Sequence, residues 1–221
     1  MFGRDRRSDD SDADFEKRRQ NMVDDLLERR RISRSSTERA LREVPRHEFV
    51  PESRRSEGYA DRPLPIGDDQ TISAPHMVGI MVDELALDRE ETVLEIGTGC
   101  GYHAAVTAEL VGPENVYSVE YSEQLARDAR QNLERLGYGD ISVRQGNGRN
   151  GWPEHASYDA AYLTCASSDF PSEVVEQVRV GGRVLAPIGR DRQTLVRATR
   201  RSANSLDRED RGGVRFVRMR G

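Results

Sequence analysis

The sequence predicts an α/β fold whose core is a doubly wound, mostly parallel sheet, and three observations predict it. From Thr92 onward, short apolar runs suited to strands recur in order: "TVLEIG", "NVYSVE", "ISVRQG", "YDAAYLT" and "GGRVLAPIG". Stretches with helical periodicity separate them, among them "AAVTAELVG", "EQLARDARQNLERLG" and "PSEVVEQVRV". Such alternation implies right-handed crossovers, hence parallel neighbours with helices on both faces. The third observation is a glycine-rich turn, "GTGCG", placed where the first strand gives way to a helix.

Ahead of the sheet, residues 1 to about 20 are mixed charge and serine, with too little apolar surface to order themselves. They also lack the apolar run of a signal peptide or membrane anchor. From Asn21, apolar Met22, Val23, Leu26 and Leu27 recur at helical spacing. A second helix is expected at "SSTERALREV", where Ser35 and Glu38 stand at capping-box spacing. "VPRHEFVP" stops it, because each bracketing proline disfavours helix in the residue before it. "HMVGIMVDEL" reads as a third helix. After Gly189, "QTLVRATRR" and "GVRFVRMRG" alternate with period two around a loop rich in Asp, Arg and Gly, so an antiparallel pair should close the sheet edge. No linker interrupts residues 21–221. One domain is therefore expected, with a helical extension and a substrate segment over 21–91 and the sheet core over 92–221.

Composition narrows the function classes. The 221 residues carry a net charge of -5, and Lys17 is the sole lysine among 34 basic residues. An acidic balance argues against a nucleic-acid or anionic-membrane partner. Arginine in place of lysine fits a salt-rich cytoplasm and high-GC coding equally well. Cys100 and Cys165 give no disulfide framework and no metal-ligand spacing. No run approaches the roughly 20 apolar residues of a spanning helix. The expectation is a cytoplasmic monomer without a metal site.

Gly97, Gly99 and Gly101 let the backbone approach a ligand without a Cβ in the way, and the helix start beyond them offers free N–H groups. Glu95 lies two residues before the first glycine, where its carboxylate either meets a ligand's ammonium group or simply ends the strand. Glu120 ends the next strand, 23 residues after Gly97, a suitable distance for an acid that grips ribose hydroxyls. A dinucleotide fold expects G-x-G-x-x-G, whereas this turn is G-x-G-x-G. The pattern E-x-G-x-G-x-G resembles motif I of class I S-adenosylmethionine-dependent methyltransferases, which implies a Rossmann-like sheet. That resemblance places Thr98, Tyr121, Asn147 and Gly148 at the cofactor as well. Where such enzymes often carry Asp-Gly to accept the adenine amino group, this chain has Asn147-Gly148 in "RQGNGRNGW", a pair also prone to deamidation.

A second resemblance is more specific. "PLPIG" followed by "QTISAPHM", with "VPRHEFVP" upstream and "GWPE", "TCAS" and "APIG" downstream, is similar to the protein-L-isoaspartate O-methyltransferase family over about Val44 to Gly189. The family resemblance implies S-adenosylmethionine as methyl donor, S-adenosylhomocysteine as product, and damaged proteins bearing L-isoaspartyl residues as partners. It places an active-site serine at Ser73, Thr71 beside the cofactor, and Ile66, Gln70 and His76 against the substrate. His76 is equally suited to cap the helix that follows. A carboxylate acceptor is already ionised near pH 7, so no strong base is required. The readings that compete are a methyltransferase of another carboxylate or small molecule, and a cofactor-binding protein that recognises isoaspartyl chains without turnover. Two departures bear on this: Asp69 stands where the family commonly has glycine, and "VRFVRMRG" lacks the proline of a "FVPL"-like ending. Cys100 reads as a packing residue, and Cys165, His47, His103 and His155 as structural or solvent-facing.

Overall fold

A computed structural model describes residues 11–203 and 205–221. Helix α1 spans Asp12–Glu28 and α2 spans Ser35–Glu43. The first helix begins well before Asn21, so the unordered segment expected through residue 20 is overturned for its second half; residues 1–10 lie outside the described residues. The cause is local. Ser11 and Asp14 form a reciprocal capping box, and Phe15 stacks on His47 with ring centroids 4.1 Å apart. In α2 the expected capping box does not form, because Ser35 is already helical and Arg34 is the cap residue. The backbone N–H groups of Ser33 and Arg34 instead donate to the Asp83 carboxylate.

A short hairpin follows, β1 (Leu64–Gly67) and β2 (Gln70–Ile72), and then α3 (Pro75–Leu85). Asp68 and Asp69 turn the hairpin with φ of 48° and 56°, the left-handed pair that two-residue hairpin turns require. Pro75 occupies the first helical position of α3, where its missing N–H costs nothing.

The sheet core comprises β3 (Val93–Ile96), α4 (Tyr102–Val111), β4 (Val116–Glu120), α5 (Glu123–Arg135), β5 (Ser142–Gln145), β6 (Tyr158–Leu163), α6 (Ser172–Glu176), β7 (Val178–Ile188), β8 (Gln193–Ser202) and β9 (Ser205–Val214). Strand order is β5-β4-β3-β6-β7-β8-β9, parallel through β7 and antiparallel beyond it. From β3 the chain winds outward to β5 and then returns to β6 on the other side. The crevice outside the ends of β3, β4 and β6 is thus the topological switch point, where open α/β sheets bind ligands. Two apolar clusters fill the faces: one joins α1–α4 to Val93, Tyr162 and Leu185, the other joins α6 to Leu94, Ile96 and Leu163.

The antiparallel edge forms, but its last strand is not "GVRFVRMRG". Polar "SLDREDRGGV" is β9, and residues 215–221 leave the sheet. An edge strand needs ladder partners more than an apolar face, and β8 supplies them. The apolar alternation read as a strand serves packing: Phe216 joins the first cluster and Met219 the second. The tail is pinned beside β6, with Ala166 N–H donating to Val217 O and Met219 N–H to Ala166 O, both at 2.8 Å.

Candidate active site at the glycine turn

Gly97, Gly99 and Gly101 have φ of 99°, 56° and 93°, left-handed values that side chains resist. A Cβ on Gly97 would sit 2.3 Å from Thr164 Oγ1, so this position is closed to any other residue on two counts. Beyond the turn, Glu120 is buried at the end of β4. Its two oxygens accept the N–H groups of Gly99 and Ser122, each at 2.9 Å. The carboxylate thereby fixes the turn while keeping lone pairs for a ligand hydroxyl.

Glu95 does not reach the pocket. In the sheet it is flanked by Ser118 on β4 and Tyr162 on β6, whose hydroxyls lie 2.5 and 2.9 Å from its carboxyl oxygens. Thr98 Oγ1 joins the same network at 2.6 Å from Ser118 Oγ. Complete burial pushes the Glu95 carboxyl up to about 8, against the pull of those two hydroxyls, and leaves it neutral at pH 7. The ammonium-facing position expected of it is therefore not where this side chain lies.

The pocket itself is walled by the glycine turn, Glu120, Tyr121 and Gly148 on one side and by Ile66, Gln70, Thr71 and Ser73 on the other. Ile66 closes over the turn, its Cδ1 3.2 Å from where a Gly99 Cβ would be. The C-terminal tail forms a third wall. Arg220 binds Asp68 of the hairpin turn at 2.7 Å and places its guanidinium 5.3 Å above the Tyr121 ring. Asp69 is exposed at the same turn and does not line the pocket. Among the described residues, the hydroxyl of Tyr102 and both ring nitrogens of His103 are enclosed by protein and make no hydrogen bond. Burial drives the His103 pKa down to about 3, so the ring is neutral. A glycine cradle and an acid at a strand end together fit a nucleoside ligand.

A wider groove adjoins the pocket, and Thr71, Ser73 and Thr164 line both. The pocket is a narrow slot that opens onto this broader trough. Ser73 Oγ is half-buried and makes no hydrogen bond among the described residues. His76 lies in the groove, not the pocket, and Asp61 holds it twice: one carboxylate oxygen is 2.7 Å from Nδ1 and accepts the His76 backbone N–H at 3.0 Å. Asp61 thus caps α3, the role considered for His76. Gly101 packs behind the turn against Leu133. Asn147 caps a short 3-10 turn, its Oδ1 accepting the Arg149 N–H at 2.9 Å.

The pocket also includes residues the sequence reading missed. Thr164 and Cys165 follow β6, and their signal was their position after a strand flanking the switch point. His103, expected to be structural or solvent-facing, had no comparable signal, and tail residues Val217 to Arg220 were marked only by the departure of "VRFVRMRG" from the family's ending. Cys100 is a packing residue, its thiol pushed up to about 11 by burial. His47 is held between Phe15 and Tyr59, and His155 stacks on Tyr117. Among the described residues no group of three or more His, Cys, Asp or Glu is placed to hold a metal ion. No described helix is long and apolar enough to cross a membrane.

Sheet order, glycine turn and distal acid define the class: a Rossmann-like fold of the class I methyltransferase type. The family follows from comparison with known proteins. The family model for protein-L-isoaspartate(D-aspartate) O-methyltransferase matches residues 17–221, and the chain belongs to that family. It is 46% identical over 209 residues to protein-L-isoaspartate O-methyltransferase 2 of Archaeoglobus fulgidus, covering 94% of this chain and 95% of that one. It is also 46% identical over 206 residues to the protein-L-isoaspartate O-methyltransferase of Methanothermobacter thermautotrophicus, covering 92% and 95%. A solved protein-L-isoaspartate O-methyltransferase superposes with a TM-score of 0.82 at 31% identity, over 91% of this chain and 66% of its own longer chain. A Plasmodium falciparum structure of the same description, in complex with S-adenosyl-L-homocysteine, shares the fold with a TM-score of 0.80 at 21% identity, over 91% of this chain and 98% of that one.

Proposed function

We propose that the junction at Ser73 carries out this family's reaction: methyl transfer from S-adenosylmethionine to the free α-carboxylate of an L-isoaspartyl residue in a damaged protein. The observation that supports this most is that Ser73 Oγ, which like the neighbouring Thr71 hydroxyl has no hydrogen-bond partner among the described residues, belongs at once to the pocket at the glycine turn and to a groove wide enough for a peptide. When bound, S-adenosylmethionine supplies a methyl group made electrophilic by its sulfonium. The glycine turn and Glu120 would hold the ribose end, and Tyr121 and Gly148 would flank the base.

On the acceptor side, Ser73 donates its O–H to one carboxylate oxygen and leaves the other facing the donor. Thr71 and the hairpin backbone hold the cofactor edge of the junction, and Ile66 and Gln70 close over it. No residue has to remove a proton, because the acceptor is ionised at neutral pH. Attack joins an anion to a cation, so a site that excludes water favours the step, and alignment supplies much of the rest. The methyl ester then closes to a succinimide without help from the protein, and its hydrolysis regenerates some normal aspartate.

Paired peptides differing only in Asp versus isoAsp test the reading. Methyl incorporation into the isoAsp member alone is expected. Equal incorporation into both, or transfer to free small carboxylates in preference, would contradict it.

A further inference from the structure

The groove beside Ser73 has a charge opposite to that of the chain as a whole. Arg190, Arg192, Arg215 and Arg218 line it, against one carboxylate, Asp191. The overall net charge is -5. Arg218 meets Asp191 at 3.3 Å, but both side chains are highly exposed, and such a pair is easily exchanged for another partner. Arg190, Arg192 and Arg215 make no hydrogen bond or ion pair among the described residues. His76, the remaining titratable group on the wall, is engaged by Asp61.

These arginines come from two places that the fold brings together. Arg190 and Arg192 sit in the turn between β7 and β8, and Arg215 and Arg218 in the segment leaving β9. Both flank the trough into which a peptide must extend when its isoaspartyl carboxylate is at Ser73. We infer that the groove selects isoaspartyl sites flanked by acidic residues, the exposed guanidinium groups pairing with Asp and Glu side chains on either side of the damaged residue. This rests on the functional reading above and specifies its substrate class. A peptide is the occupant the geometry favours over a nucleic acid, because the groove opens directly onto the serine and offers bases little to stack on: Phe216 packs against the core and His76 is held by Asp61.

Three isoaspartyl peptides of equal length, flanked by Glu, Ala or Lys, provide the test at about 50 mM and about 1 M salt. Exposed ion pairs are individually weak, so we expect KM to be about 10-fold lower for the Glu peptide than for the Lys peptide at low salt. The difference should shrink to about 2-fold at high salt, where the screening length falls to about 3 Å. A triple variant, Arg190→Gln, Arg192→Gln and Arg215→Gln, should lose the discrimination, and Arg29→Gln with Arg31→Gln, away from the groove, should keep it. Equal KM values for all three peptides in the unmodified protein would overturn the inference while leaving the functional reading intact. So would inhibition by a mixed-sequence oligonucleotide without any preference among the peptides. Absence of transfer to every isoaspartyl peptide would remove the functional reading and the inference together.

Discussion

On the donor side of the site, the glycine turn and Glu120 come from one βαβ unit, and Glu120 ties itself to Gly99 across a sequence separation of 21. On the acceptor side, the hairpin at 64–72, the β7–β8 turn and the C-terminal tail meet only in the folded chain. The ion pair that joins hairpin to tail, Asp68 with Arg220, spans 152 residues. One side is a local motif whose geometry is dictated by backbone conformation. The other is assembled by tertiary packing and held by side chains at its rim. Substitutions on the donor side should therefore damage binding and stability together, whereas those on the acceptor side should change turnover or selectivity in a fold that persists.

The largest effect expected is at Gly97. Alanine there combines left-handed strain with a 2.3 Å approach to Thr164, so we expect a loss of about 3 kcal/mol and a fall in cofactor affinity of about two orders of magnitude. Chemical denaturation and calorimetric titration would measure both. A stable Gly97→Ala protein with ordinary affinity would break the contrast between the two sides.

Glu95 sharpens it through pH. Its carboxyl ionises near 4.5 when unfolded and near 8 when folded. Between those values the folded state binds the extra proton, so stability falls as pH rises, by up to about 1.4 kcal/mol per unit. Glu95→Gln cannot ionise and keeps a donor for the network. Its stability relative to the unmodified protein should be lowest at pH 5 and rise toward pH 9 by up to about 4 kcal/mol in melts at both values. A difference that does not change with pH would contradict the buried, neutral carboxyl.

Glu120→Gln retains one acceptor oxygen of two, and cofactor affinity should fall about 10-fold with kcat at saturation little altered. The smallest effect belongs to Asp69, where glycine would relieve a φ of 56° in an exposed turn. Asp69→Gly should stabilise by about 1 kcal/mol, raising Tm by about 3 °C. A drop in Tm would show that the aspartate has a partner of its own.

The same division explains what could be read from the sequence. The alternation from Thr92 to Gly189, the turn and Glu120 were legible because strand, turn and helix signals lie within one or two elements of each other. Glu95 was identified as part of the motif but not oriented, since a residue in a buried strand points to one face or the other and only the neighbours Ser118 and Tyr162 reveal which. The α1 start was missed because charged residues outnumber apolar ones there, while a cap and one stacked phenylalanine suffice to hold it. The tail was misread as a strand because packing against two clusters produces the same period-two pattern as a ladder. The role proposed for Ser73 and its neighbours rests on family resemblance: a lone serine two residues before a proline carries no physical signal of its own.

The central claim is that Ser73 aligns an acceptor that is already charged. Single-turnover methyl transfer to an isoaspartyl peptide by Ser73→Ala, with cofactor affinity measured on the same preparation, tests it most directly. The account predicts a rate about 100-fold lower with cofactor Kd within about 2-fold of the unmodified protein. An unchanged rate, or equal losses in rate and cofactor affinity, would contradict it.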